Sequence, residues 1–342
     1  MNNIYTLAVI SILISAVLTP FVKKIAVKLD VIDIPKDSRR VHNKPIPLLG
    51  GLAIYFSFII TLILNRGELS SPEKGMIFGA TVIVIGGFID DKYDIKPWCK
   101  LLFQILAALI LIYFGIRITI ITNPVSNIYQ YIHIGMFSIP LTIIWVVGIT
   151  NAMNLIDGLD GLAAGIALIA SVTLSIIAIL NGRNEAAIVT IIFAGSILGF
   201  LPYNFNPASI FMGDTGAQLL GFMLAAISIE GAIKSAAVFP IAVPILAFGI
   251  PIYDTLFAVI RRKINGKPIM SADKGHLHHR LLDMGLNQKQ AVLIMYVISA
   301  ILGSFSIIAA EVNPQRAYFL LLGVMVVLII LAWKVGFFKH RE

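Results

Sequence analysis

No charged residue occurs between Met1 and Val22, and the apolar run from Ile4 to Phe21 is the first of eleven such runs along the chain. A helix rises 1.5 Å per residue, so about 20 apolar residues cross the hydrocarbon layer of a bilayer. By that yardstick, spanning helices are predicted near residues 4–22, 48–65, 75–89, 101–121, 137–156, 162–180, 186–203, 215–232, 236–259, 291–310 and 317–336. In lipid every backbone N–H and C=O must be satisfied within the spanning structure, which leaves helices or a closed barrel, and runs of this length select helices. The predicted fold class is an all-α integral membrane protein with about 11 transmembrane helices, in one polytopic domain covering residues 1–342. No 20- to 50-residue repeat and no low-complexity linker divides it. The first run lacks a basic start and a small-residue cleavage site, so it is expected to be retained as a helix. With 58% hydrophobic and 13% charged residues, an ordinary soluble fold is excluded.

The net charge of +8 could serve nucleic acid, but its distribution assigns it to topology. Loops 23–47, 90–100 and 261–290 and the tail from Lys334 hold 20 Lys and Arg, whereas the opposite side holds six. The positive-inside rule makes the 20-residue side cytoplasmic, with the N-terminus outside and the C-terminus inside. No nucleic-acid partner is expected. The twelve aspartates all fall on or next to the cytoplasmic side, while five of six glutamates fall outside. Solvation alone does not sort Asp from Glu, so short carboxylates gathered on one face suggest a metal or phosphate site. The single cysteine, Cys99, excludes an internal disulfide and any cysteine-based metal site.

Four cytoplasmic segments carry candidate chemistry. In GGFIDDKYDIKPWCK, residues 86–100, Asp90 and Asp91 end one helix and Lys100 begins the next. Adjacent ionised carboxylates call for a cation, either Mg²⁺ or a lysine. In NAMNLIDGLDGLAAG, residues 151–165, Asn151, Asn154, Asp157 and Asp160 would share one face of an ideal helix. Gly158 and Gly161, each costing about 1 kcal/mol in a helix relative to Ala, argue instead for a break. The side-chain oxygens there are hard ligands of the kind Mg²⁺ accepts beside waters and phosphate, although buried polar packing is the plainer alternative. In FNPASIFMGDTGAQLLG, residues 205–221, Asp214 and Thr215 could cap the following helix. In PIMSADKGHLHHRLLDMG, residues 268–285, His276, His278, His279 and Arg280 could bind zinc, but with Arg and Lys beside them they look more like an anion clamp. The loop RRVHNKPIPLLGG, residues 39–51, adds Arg39, Arg40, His42 and Lys44, which suit topology, anionic membrane lipids or an anionic lipid substrate.

Taken together, RVHNKPIPLLGG, DDKYDIKPWCK, NAMNLIDGLDGLAAG, FMGDTGAQLLG and GHLHHRLL resemble the polyprenyl-phosphate N-acetylhexosamine-1-phosphate transferase superfamily (glycosyltransferase 4 family). They run in family order along nearly the whole chain, and HLHH followed by Arg looks like the WecA and TagO branch more than the related MraY branch. The resemblance implies transfer of a sugar 1-phosphate, GlcNAc 1-phosphate above all, from a UDP-sugar to undecaprenyl phosphate. UMP would be released, and the product would be the first lipid-linked intermediate of a cell-envelope polysaccharide. It implies Mg²⁺, with Mn²⁺ as the other candidate, held by Asp214 and Asn154. It further implies Asp90, Asp91 and Asp214 as the catalytic set, Lys100 on a phosphate and Asp160 on the uracil. Lys44, Asn151 and Asp157 would be further substrate-binding residues, and His276, His278, His279 and Arg280 would meet the donor's diphosphate and sugar. Where the family commonly has Arg this chain has Leu48, so one phosphate contact would pass to Lys44 or Arg40. The implied setting is the plasma membrane, multi-pass, with the active site on the cytoplasmic face, and a homodimer is compatible with it.

Two rival classes read the same residues differently. An ion-coupled transporter places carboxylates on broken helices at mid-bilayer, whereas these motifs cluster at one interface and no inverted repeat accompanies them. A CDP-alcohol phosphotransferase shares a DG-rich membrane motif, but the Arg and the further spaced aspartates it needs are absent.

Overall fold

The computed structural model describes residues 3–35, 44–65, 68–122, 131–233, 242–266, 275–312 and 314–334. Arg39, Arg40 and His42 lie outside the described residues. The chain opens with α1 (Ile4–Lys28), then a two-stranded antiparallel pair, β1 (Ile32–Asp33) and β2 (Ile46–Pro47), in register Asp33 to Ile46. α2 (Gly51–Asn65), α3 (Ser71–Tyr93) and α4 (Pro97–Tyr113) follow, then a second short pair, β3 (Ile120–Thr122) and β4 (Tyr131–His133). α5 (Ser138–Ile156), α6 (Leu162–Leu180), α7 (Asn184–Asn204) and α8 (Gly213–Ser228) form the middle of the chain. A π-helical turn, Ile229–Ile233, ends α8. α9 (Ala242–Ala247), α10 (Gly249–Ile264), α11 (Leu277–Asp283), α12 (Gln288–Glu311) and α13 (Pro314–Lys334) complete it.

The burial pattern is that of a protein in lipid. On α1 the large apolar residues Val9, Leu13, Val17 and Phe21 are exposed, while Ser11, Ser15 and Thr19 face inward and are fully buried. Water would select the reverse; in a bilayer, small and hydroxylated residues let helices approach closely and bond across the interface. Here Ser15 Oγ donates to Ser196 O of α7 at 2.6 Å and Ser57 Oγ of α2 donates to Ser11 O at 2.7 Å. Among the described residues, six helices are long and apolar enough to cross a membrane.

α8 is buried on every side from Thr215 to Ser228 and packs against α2, α3, α5 and α6, as a helix apolar all round should. Two predicted spans depart from the apolar runs. The 101–121 run stops being helical at Tyr113, because Gly115 at φ +88° gives the left-handed turn that ends a helix. The 236–259 run is broken at Phe248 into α9 and α10. Pro251, in the first turn of α10, cannot donate to Ala247 and its ring would crowd that carbonyl. α3 is longer than expected and keeps Asp90 and Asp91 inside its last turns.

Candidate active site

The site is built on the N-terminus of α8. Gly87 of α3 lies so close to that first turn that a Cβ would stand 2.5 Å from Thr215 Cα. This approach delivers Asp91, one turn further along α3, to the unpaired amides of α8. Its Oδ1 accepts from Asp214 N at 2.7 Å, and its Oδ2 accepts from Thr215 N at 3.1 Å and Thr215 Oγ1 at 2.6 Å. Met212 at the N-cap supplies no side-chain bond. The cap of α8 therefore comes from Asp91, across 123 residues of sequence, and not from Asp214 as the local motif suggested. A carboxylate at this helix end also meets the positive end of the dipole.

Relieved of capping, Asp214 turns its carboxylate to two other helices. Oδ2 accepts from Lys100 Nζ at 2.6 Å and Oδ1 from Asn154 Nδ2 at 2.7 Å. Lys100, in the first turn of α4, also pairs with Oδ2 of Asp90. Asp90 is 5% exposed, and its Oδ1 accepts from Ile95 N at 3.0 Å. One ammonium thus bridges two carboxylates with a third, Asp91, alongside. The excess negative charge favours a further cation.

Two cavities meet at this cluster and share Asp33, Leu48, Asp91 and Asp214 in their walls. One, of about 390 Å³, is also lined by Asn154, Asp157, Asp160 and Gln288; the other, of about 410 Å³, by Asp30, Asp90, Lys92 and Lys100. The predicted break is present: α5 ends at Ile156, and residues 157–161 turn to start α6. Asp160 Oδ2 accepts from Asn206 Nδ2 and Ala208 N, both at 3.0 Å, and Asn206 also donates to Gln288 Oε1 at 2.8 Å. The carboxyl of Asp157, on the same turn, is pushed up to about 8, first by burial and then by the charges of Asp214, Asp91 and Asp160.

The remaining predicted residues line neither cavity. Asn151 is tied to Gln104, accepting at 3.3 Å and donating at 2.7 Å, and Gln104 in turn donates to Gln218 at 3.1 Å. This partly buried amide chain supports the site from one turn below and lies outside the linings of both cavities. Lys44 is exposed just ahead of β2. His276, His278 and Arg280 are buried, with Nδ1 of His276 2.7 Å from Asp254 Oδ2. His278 is held down to about 3 by burial and by the neighbouring His279, so it is neutral across the physiological range. Gln288 and Asn206 are not singled out by the sequence, and Asp33 and Asp254 share only the general placement of the aspartates on the cytoplasmic side, with no spacing that marks them.

The donor set suits a divalent cation by its own chemistry. Among the described residues no three His, Cys, Asp or Glu side chains form a closed metal cage. Mg²⁺ does not require one: it is commonly held by one or two carboxylates, with waters and substrate phosphates completing its shell. Asp214, bordering both cavities, with the Asn154 amide beside it, fits that habit. The amide oxygen and nitrogen exchange places on a flip.

The family model described as Glycosyl transferase family 4 matches residues 74–232, the stretch that contributes Asp90 to Asp214. A probable undecaprenyl-phosphate N-acetylglucosaminyl 1-phosphate transferase of Bacillus subtilis is 36% identical over 341 residues, covering 100% of this chain and 94% of its own length. A decaprenyl-phosphate N-acetylglucosaminephosphotransferase of Mycobacterium tuberculosis is 34% identical over 92% of this chain and 85% of its own. A phospho-N-acetylmuramoyl-pentapeptide-transferase of Clostridium botulinum is 31% identical over 81% and 87%. With a relative this similar over the whole of this chain and the motifs assembled at one centre, the chain belongs to glycosyl transferase family 4.

Proposed function

We propose that the protein transfers GlcNAc 1-phosphate from UDP-GlcNAc to undecaprenyl phosphate, releasing UMP and forming the first lipid-linked intermediate of a cell-envelope polysaccharide. The observation that carries this reading is the Lys100 bridge between Asp90 and Asp214, where two separate cavities meet. An oxygen of the lipid phosphate attacks the donor phosphorus that bears the sugar. The new P–O bond forms as the bond to UMP breaks. Both reactants are anions, so the barrier is largely electrostatic and fixed positive charge lowers it.

In this reading the Asp157–Asp160 cavity takes the donor, with Asp160 at the uracil and the histidine tract at the diphosphate and sugar. The Asp90–Lys100 cavity takes the acceptor phosphate. Lys100 neutralises charge at the junction, and Asp90 orients the acceptor. A phosphate monoester has a second pKa of about 6, so little proton removal is asked of Asp90 at neutral pH. Asp91 acts differently, because its oxygens are engaged by the start of α8 and it thereby fixes the direction of Asp214. Asp214 and Asn154 would hold Mg²⁺, or Mn²⁺ with the same oxygen donors, and the bound ion would neutralise the donor diphosphate.

The setting we infer is the plasma membrane, with about eleven spans; the loop charges support an N-terminus outside and a transfer site on the cytoplasmic face. The test is incubation of the purified protein with Mg²⁺, undecaprenyl phosphate and a panel of labelled UDP-sugars. Label entering the lipid phase with equimolar UMP, UDP-GlcNAc the preferred donor, is the expected result. No transfer from any UDP-sugar overturns the reading.

A further inference from the structure

One buried acid near the site has no part in the transfer as described. Asp254, on the second turn of α10, is 4% exposed and has both oxygens engaged. Oδ2 is 2.7 Å from His276 Nδ1, and Oδ1 accepts from the backbone N–H of Leu277, the first residue of α11, at 2.8 Å. Two turns on, along the same face of α10, the Arg261 guanidinium packs on Gly275, where a Cβ would stand 2.3 Å from Arg261 Cζ. Arg280 closes the segment on itself, its Nε donating to Gly275 O at 3.1 Å. α10 therefore grips the chain at the point where the histidine tract begins.

The contacts continue to the donor-side cavity. The rings of His276 and His278 are stacked at 5.8 Å with an interplanar angle of 9°. His278 rests on the 157–161 turn so closely that a Cβ on Gly158 would stand 2.5 Å from its Nε2. Gly158 lies between Asp157 and Asp160, both in that cavity wall. The Nδ1 atom of His278 has no hydrogen-bond partner among the described residues, although the residue is 2% exposed. Buried polar atoms are ordinarily satisfied, and an exception beside a cavity wall calls for a ligand or water.

We propose that Asp254 is a positioning residue for the sugar-nucleotide donor. Its carboxylate keeps the proton on Nδ1 of His276 and fixes that ring, and the stacked pair His276–His278 then sets the tract against the 157–161 turn. Carboxylates that orient metal-bound imidazoles act in this way, and their loss typically costs about 10- to 100-fold; the same order is expected for an imidazole that meets a phosphate. The proposal rests on the transferase reading above.

The test compares Asp254→Asn, His276→Ala and the double variant in the full-length protein with UDP-GlcNAc and undecaprenyl phosphate. Asparagine keeps an acceptor for Leu277 N–H but presents an NH₂ group to His276 Nδ1, driving the proton to Nε2. The expected result is a donor KM raised about tenfold, with the acceptor KM and the melting temperature unchanged. His276→Ala should raise the donor KM by a similar factor, and adding Asp254→Asn should change it less than twofold further. Equal rises in both KM values, an unchanged donor KM, or effects that multiply in the double variant overturn the proposal. Transfer by the parent with an unchanged donor KM in Asp254→Asn overturns it alone; no transfer by the parent overturns the transferase reading with it.

Discussion

Replacing Asp91 with alanine separates its role from that of its neighbour Asp90. The substitution strips three hydrogen bonds from the start of α8: those from Asp214 N, Thr215 N and Thr215 Oγ1. Removing a hydrogen-bond partner that carries charge costs about 1.5–3 kcal/mol, and loss of an N-cap alone about 1 kcal/mol. The three bonds share one carboxylate, so their costs do not sum, and losing its charge relieves repulsion with Asp214. A net loss of about 2–4 kcal/mol follows, which at about 2–4 °C per kcal/mol lowers the melting temperature by on the order of 10 °C. Asp90→Asn should melt close to the parent, because it keeps an acceptor for Ile95 N and leaves Lys100 paired with Asp214. Thermal melting in detergent micelles, with transfer rates on the same samples, distinguishes the two. If Asp91→Ala melts within about 1 °C of the parent, or Asp90→Asn is the less stable of the two, the assignment of Asp91 to the cap is wrong.

Gly87→Ala places a methyl group 2.5 Å from Thr215 Cα, so α3 must move away from α8 and carry Asp90 and Asp91 with it. A displacement near 1 Å can cost about 100-fold in rate, so kcat should fall by that order while the protein remains folded by circular dichroism. Asp157 stands at about 8 in the folded protein against 3.8 when unperturbed. The folded chain therefore keeps a proton that the unfolded chain has lost, and stability declines as pH rises between those values and levels off above. Asp157→Asn should flatten that decline, seen as a smaller drop in melting temperature from about pH 5 to about pH 9 in EDTA; an unchanged slope contradicts it.

Local features were legible in the sequence and long-range ones were not. The break at residues 157–161 could be read because Gly158 and Gly161 resist a helix beside carboxylates that resist lipid. The grouping of Asp90, Lys100, Asn154 and Asp214 was implied by the family resemblance; the sequence by itself placed their motifs on one side of the membrane and went no further. Which aspartate caps α8 could not be read: Asp214 is the local candidate, and only the close passage of Gly87 past Thr215 brings in Asp91. Asn151 fits the polar face of its helix equally well as a ligand or as a partner of Gln104, and only the position of α4 chooses. Hydropathy marked the 236–259 run as one span because the average hides Pro251. Asp254 carries no motif, and its link to His276 exists only once α10 and α11 meet.

The proposed chemistry turns on Asp214, held between Lys100 and Asn154 where the two substrates would exchange the sugar phosphate. Asp214→Asn at saturating Mg²⁺ probes it directly, with release of UMP from UDP-GlcNAc measured beside the melting temperature. The expected result is a rate lowered by roughly 100-fold or more, as for loss of a key electrostatic group, in a protein that still folds. A rate within about threefold of the parent, small against that expected loss, would refute the role given to Asp214.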